Sequence, residues 1–296
     1  MKTANAMQLK ARIKARAKAA NVSPQLMLQD YLLERLLERL SLSMWRERFI
    51  VKGGMLIGSL IGVESRVTKD LDTTIRGFAL TRETAETAFR EICAVEVDDD
   101  ISFEFVRTEV IRETDDYPGI RVFVKANYEP MSVPLSIDVT AGDAITPDAI
   151  EYDYLLMFDE REISVMTYPV ETVMAEKLET IVTRGVANTR PRDYYDACKL
   201  WLTRSQQIDV ALLAKALEAT CAKRGSTDAI SRYGEVLEEV MADERMLGRW
   251  NGYARDYSYA RNVAFEQCCE IVRHVMDLIS TSAWAAGPPS ARQTPI

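Results

Sequence analysis

The segment Phe49–Arg76, FIVKGGMLIGSLIGVESRVTKDLDTTIR, restricts what this chain can fold into more than any other. An apolar run, Phe49-Ile50-Val51, stops at the glycine pair Gly53-Gly54, and a second apolar stretch, Met55-Leu56-Ile57 with Leu60 and Ile61, follows. A turn without side chains that opens a helix offers free backbone N–H groups and a positive helix end to an anion. Asp70 and Asp72 come next, one residue apart. On a strand, residues two apart share a face with Cα atoms about 7 Å apart. The spacing therefore predicts two carboxylates aimed at one point, with Leu71 turned into the core. Like charges that close repel unless a cation lies between them. Hard oxygen donors of this kind suit Mg²⁺ or Mn²⁺, shared with phosphates. The segment reads as a triphosphate on backbone amides beside a metal on two carboxylates.

The 296 residues can bury a substantial core, and a hydrophobic share of 47% with 28% charged residues is ordinary for a soluble globular protein. No apolar run approaches the roughly 20 residues of a membrane span, so no membrane partner is expected. The N-terminus lacks an apolar signal region. The five cysteines form no C-x-x-C pair and are odd in number, which fits a reducing, cytoplasmic location. A single histidine, His274, leaves no His-rich zinc site, so carboxylates and lysine must carry any catalysis. The net charge of −8 argues against nucleic-acid binding by the whole surface. Residues 1–20 are the exception, with Lys2, Lys10, Arg12, Lys14, Arg16 and Lys18 and no acid. They read as a basic helix over 5–20, either an arm for RNA phosphates or a frayed solubilising helix.

Ser23-Pro24 starts a helix running to about Leu40, with Glu34, Arg35, Glu38 and Arg39 expected on its outer side. Thr81 caps another, to about Cys93. Asp98-Asp99-Asp100 reads as a solvated turn. Strands are expected at Ile101–Val110, Gly119–Tyr128, Val133–Val139, Tyr154–Phe158 and Glu162–Val165, with a turn at Asp115–Gly119. Asp138 ends an apolar strand and is either a surface aspartate or a third carboxylate beside Asp70 and Asp72. From Pro169 the pattern is helical. Val170–Thr183 carries Lys177 near its apolar stripe, either snorkelling or aimed at an anion. The next helix opens at Arg190-Pro191-Arg192-Asp193, with Asp193 and Asp196 as caps or partners of Lys177. Helices near 208–223, 228–248 and 258–279 complete a bundle. Tyr253, Tyr257 and Tyr259 with Arg255 and Arg261 form an aromatic-basic cluster, suited to stacking on nucleobases or to a helix interface. The expected division is 1–45 N-terminal helices, 46–168 a sheet domain, 169–280 a helical domain and 281–296 a disordered tail.

Four blocks in order, FIVKGGMLIG…RVTKDLD, SIDVTAGD, VETVMAEKLETIVTRG and RPRDYYDACKL, resemble the AbiEii/MenT-type nucleotidyltransferases, toxin halves of type IV toxin–antitoxin systems. The resemblance spans about Arg35 to Leu200. It implies an α+β fold, a polymerase-β-type nucleotidyltransferase domain with a small mixed sheet followed by a helical bundle. It implies that Gly53 and Gly54 hold the phosphates of an NTP and that Asp70 and Asp72 bind Mg²⁺. Asp138 would be the third metal carboxylate, Lys177 would face the triphosphate, and Asp193 would be the acid of the last motif. Lys52, Thr68 and Arg192, within these motifs, are counted with the nucleotide contacts. The implied chemistry is two-metal transfer of NMP to an RNA end, a tRNA 3′ end in related toxins, with pyrophosphate leaving and a cognate antitoxin as a possible partner. Fifteen residues separate Gly54 from Asp70, longer than the usual nucleotidyltransferase gap. Two alternatives stand beside this: transfer to a protein or small molecule, and a non-catalytic nucleotide-binding partner of an antitoxin.

Overall fold

The structure, a computed structural model, describes residues 6–62, 66–111 and 118–285. Most of the turn expected at Asp115–Gly119, Lys2, and residues 286–296 of the expected tail lie outside them. Contacts divide the chain into two units, Met1–Pro169 with Asn251–Asn262, and Val170–Trp250 with Val263–Ile296.

The first unit opens with helices α1 (Ala6–Ala19) and α2 (Pro24–Leu42). Ser23 caps α2 by accepting a hydrogen bond from the Leu26 N–H at 3.1 Å, with Pro24 in the first turn. Strand β1 (Phe49–Lys52) passes directly into α3 (Gly53–Ile61), and β2 (Leu71–Ile75) returns antiparallel to β1. Helix α4 (Arg82–Ala94) begins at a capping box between Thr81 and Thr84. Strands β3 (Ser102–Ile111), β4 (Gly119–Tyr128), β5 (Met131–Ala141), β6 (Ile150–Leu155) and β7 (Glu162–Thr167) follow. All seven form one mixed sheet in the order β3-β4-β5-β2-β1-β7-β6. The pairs β2–β5 and β1–β7 are parallel, so the middle of the sheet is built by strands distant in sequence.

Two strands, β5 and β6, start before the sequence reading puts them, and the ends of the others differ from it by at most two residues. β5 starts at Met131 because its proline, Pro134, lies where β5 pairs with β4 alone; β2 joins only from Ile137. A missing N–H is tolerated there. β6 ends at Leu155, four residues earlier in starting than expected, and the Leu156 N–H closes a turn onto the Arg161 carbonyl.

Helix α2 is buried all round. Glu34, Arg35, Glu38 and Arg39 are not an outer solvated row; each is at most 2% exposed. Asp99 is not in a solvated turn either: it is buried against Arg39, while Asp98 and Asp100 face outward. Helix α1 is no frayed arm, since Leu9, Ile13 and Ala17 are buried along one face.

The second unit holds α5 (Val170–Arg184), α6 (Pro191–Arg204), α7 (Val210–Arg224), α8 (Thr227–Ile230), α9 (Tyr233–Ala242), most of α10 (Glu244–Asp256) and α11 (Phe265–Ala285). The single helix expected over 228–248 is three. Asp243 makes the second break, its carboxylate accepting from the Arg245 and Met246 N–H groups at 2.8 and 3.0 Å. Helix α11 continues to Ala285, into the stretch expected to be a tail. His274 is exposed on α11 beside Trp201. Among the described residues no helix is long and apolar enough to cross a membrane.

Candidate active site

Four strands of the first unit bring polar groups to one place on the sheet. Across the β1–β2 ladder Lys52 faces Asp72, and across the parallel β2–β5 ladder Asp72 faces Asp138. Arg121 on β4 faces Asp138 from the other side. Directly paired residues share a face of the sheet, so Lys52, Asp72, Asp138 and Arg121 form one row across it.

Gly53 lies against this row. Its φ of +65° is open to glycine without strain, and a Cβ there would stand 2.1 Å from Asp72 Oδ2 and 2.7 Å from its Cγ. The backbone that opens α3 and the Asp72 carboxylate are thus in direct contact. Gly54 is equally confined: a Cβ would meet Thr68 Oγ1 at 2.6 Å and an Arg66 guanidinium nitrogen at 3.0 Å. The N-cap residue Lys52 makes no side-chain cap bond to α3, and a helix start of this kind, with its positive end, suits an anion.

Asp70 sits in a bend one residue before β2, not on the strand with Asp72. The cause is local. The Thr68 hydroxyl folds back onto the Asp70 carbonyl at 3.1 Å, which keeps that residue out of the ladder. Thr68 is itself buried, so it holds the loop and packs against Gly54. Helix α2 grips the same loop, with Gln29 Nε2 donating to the Lys69 carbonyl at 2.8 Å and the Thr68 N–H donating to Asp30 at 3.3 Å. Burial pushes the Asp30 carboxyl up to about 7, against the opposing pull of that N–H.

Asp138 is 7% exposed and is held by Arg121 in a bidentate pair, Nε–Oδ1 2.6 Å and Nη2–Oδ2 2.8 Å. That hydrogen bonding raises the Arg121 pKa, and the charges of Asp138, Asp70 and Glu109 add to it. Arg121 is the site residue that the sequence reading did not single out. Its signal is the hairpin register: counting back from the two-residue turn Glu129-Pro130 pairs Arg121 with Asp138.

Lys52 turns its amine to Asp143 and donates to Thr140 Oγ1 at 2.8 Å. Asp143 also accepts from Tyr168 and from Thr140, at 2.7 and 2.8 Å. Burial pushes the Asp143 carboxyl up, but the Lys52 charge and these hydrogen bonds outweigh it and hold it at about 2. Lys52 therefore meets an internal counter-ion.

Among the described residues no three His, Cys, Asp or Glu side chains gather closely enough to hold one cation. Asp138 is turned to Arg121 and Asp70 stands off the strand, which accounts for this. The donor chemistry that remains, the Asp72 carboxylate at the start of α3 with Asp70 in the bend before β2, still suits a hard cation shared with a phosphate.

In the second unit Lys177 on α5 reaches Asp193 at 2.7 Å and Asp196 at 3.1 Å, both on α6. Asp193 Oδ2 is buried without a hydrogen-bond partner. Arg192 is exposed beside them. Lys177 thus neither snorkels nor stands alone; it is the cation of a buried acidic pair.

The fold and these motifs have counterparts. The chain matches the family described as "Nucleotidyl transferase AbiEii toxin, Type IV TA system" over residues 35–271. Two solved structures from Helicobacter pylori share the fold. One, assigned provisionally as a nucleotidyltransferase, is 12% identical with a TM-score of 0.51. The other, JHP933, is 14% identical with the same TM-score of 0.51. Each alignment covers 90% of this chain and 100% of the other. No curated protein matches the chain in sequence. The seven-stranded mixed sheet with its glycine-opened helix, and a family match over most of the length, lead to one conclusion: the chain belongs to the AbiEii nucleotidyl transferase toxins of type IV toxin–antitoxin systems, and it is a nucleotidyltransferase.

Proposed function

We propose that the protein transfers NMP from an NTP to an RNA acceptor, a tRNA 3′ end in the form the family resemblance suggests, and that a cognate antitoxin restrains it. The observation that carries this reading is the contact between Gly53 and Asp72. It puts a carboxylate at the start of α3, where backbone N–H groups would receive phosphate oxygens. Asp70 and Asp72 would hold divalent cations, which when bound stabilise the attacking and leaving oxygens of an in-line displacement. Gly53 and Gly54 let the phosphates approach the backbone, where any side chain would collide. Asp138, paired with Arg121 and facing Asp72 across the ladder, would accept the acceptor hydroxyl's proton. Lys177 and Asp193 are retained as contributors on the strength of the family motif.

The test is to incubate the protein with each labelled NTP, Mg²⁺, and either total tRNA or extract protein, beside Asp70→Ala and Lys177→Ala. Label on RNA that disappears in both variants supports the proposal. Label on protein or on a small molecule alone moves the enzyme to that acceptor class, which the net charge of −8 favours. Transfer to RNA falls steeply with salt, and transfer to a small molecule does not.

The Arg121–Asp138 pair makes a separate prediction. Arg121→Gln removes a cation that now neutralises Asp138. Mn²⁺ affinity, measured by titration without nucleotide, should rise by about tenfold or more, the usual reach of a neighbouring charge. An unchanged affinity would place Asp138 outside the metal's field.

A further inference from the structure

Two sequence features that the transfer chemistry does not use, the basic helix and the tyrosine cluster, meet in the first unit. Helix α1 carries five cations and no acid between Ala6 and Ala20. Its buried stripe is Leu9, Ile13 and Ala17, and one residue further round lie Lys10, Lys14 and Lys18, all exposed. Four-residue spacing sets these lysines about 6 Å apart along the axis on one flank. After Lys18 the helix ends in a tight turn at Asn21, which has a φ of 51°. The Asn21 carbonyl accepts a hydrogen bond from Ser258 Oγ at 2.5 Å, across 237 residues of sequence.

Ser258 stands between two of the three clustered tyrosines. The rings of Tyr253 and Tyr257 are 5.0 Å apart, and those of Tyr257 and Tyr259 5.5 Å. Tyr253 is buried, whereas Tyr257 and Tyr259 are half-exposed, and Arg255 and Arg261 on either side face solvent. The cluster therefore has a buried base and two partly exposed rings, so the helix interface that composition favoured does not take up all of it. A cationic row and an aromatic platform joined at one turn match the two halves of a single-stranded polynucleotide, phosphates on lysine and bases on rings. The positive charge is local. On a chain of net charge −8 it gives a polyanion one place to settle.

We infer that Lys10, Lys14 and Lys18 of α1, with Tyr257 and Tyr259, form the surface that holds the single-stranded part of an RNA acceptor. This rests on the reading of RNA as the acceptor, and it adds where that RNA lies. The row engages the backbone without sequence preference, and the tyrosines stack on unpaired bases.

The test is fluorescence anisotropy of a labelled single-stranded RNA over a range of KCl. It compares the full-length protein, a variant with Lys10→Gln, Lys14→Gln and Lys18→Gln, and Tyr257→Ala. All four side chains are at least partly solvent-exposed, so the variants should keep wild-type circular dichroism. The lysine variant should bind at least tenfold more weakly at low salt. Its slope of log K against log salt should shrink by about 2, from about 0.7 per lost contact. Tyr257→Ala should weaken binding about 5- to 150-fold, the effect of 1–3 kcal/mol of base stacking, with the slope unchanged. A wild-type slope in the lysine variant overturns the proposal. So does a lysine dependence seen with anionic lipid vesicles and not with RNA. Transfer assays keep the two readings apart. RNA labelled by both variants with wild-type KM leaves the acceptor class standing and removes this surface. Lysine-dependent RNA binding, with label going only to another acceptor, does the reverse.

Discussion

Replacing Asp72 with asparagine should lower NMP transfer by about 10²–10³-fold or more, the scale on which a transition-state electrostatic contact counts. Asp72 is directly paired with Asp138 across a parallel ladder, and Arg121 holds Asp138 by two hydrogen bonds. In the proposed mechanism the Asp72 charge serves a bound cation and phosphate. Asparagine keeps the shape and removes that charge. Gly53→Ala provides the control. Its Cβ would drive into the Asp72 carboxylate, and its positive φ costs a non-glycine residue about 1–2 kcal/mol. It should lose transfer as Asp72→Asn does, but with a lower Tm. If Asp72→Asn keeps transfer within threefold or so of wild type, a smaller loss than any such contact explains, the carboxylate is not at the reacting centre.

What the sequence discloses and what it hides divide along a physical line. The strand–glycine–helix unit at Phe49–Ile61 is legible because every part of it is local: apolar run, glycine pair, apolar run. The same holds for the Thr81 cap and for the alternation in β4. The bend at Asp70 escapes because a threonine hydroxyl two residues away decides it, and strand periodicity cannot register that. Asp138 could be read as surface or site because only the non-local β2–β5 pairing brings it beside Asp72. Arg121 was within reach through the Glu129-Pro130 hairpin, but a strand start read at Val133 lengthened the apparent loop. Helix α2 is the largest misreading. Alternating Glu and Arg on a helix is the usual mark of a solvated face, and the partners that bury it, Asp99, Ile101, Met157 and Arg161, lie 60 to 123 residues away.

That buried row sets the second large effect. Arg39→Met should destabilise the first unit by about 3–5 kcal/mol, the loss expected when one partner of a buried ion pair is removed. Arg39 is 1% exposed. Its guanidinium holds both oxygens of Asp99, at 3.0 and 2.8 Å, and donates to the carbonyls of Arg35 and Ile101 while lying 4.7 Å from the Phe103 ring centroid. Methionine fills much of the same space but leaves Asp99 buried with the Ile101 N–H as its remaining hydrogen-bond donor. The cost is therefore mainly an unpaired carboxylate, and removing that carboxylate as well should recover most of it. The double variant Arg39→Met, Asp99→Asn should unfold in urea closer to wild type than Arg39→Met does, a coupling that separated surface charges would not show. Next along the helix Arg35 sits between Glu34 and Glu38, at 2.7 and 2.5 Å, and Glu34 accepts from the Met157 N–H at 2.6 Å. Burial still pushes the Glu34 carboxyl up to about 7 despite the neighbouring Arg35 charge. For an acid whose folded pKa lies above its unfolded one, the folded state binds the extra proton, so stability falls as pH rises from about 4 to about 7. Arg39→Met should consequently show its deficit most plainly above about pH 7, where Glu34 too is charged. A loss under about 1 kcal/mol at pH 7 would mean that water reaches Asp99 and that α2 is not the sealed centre of the first unit.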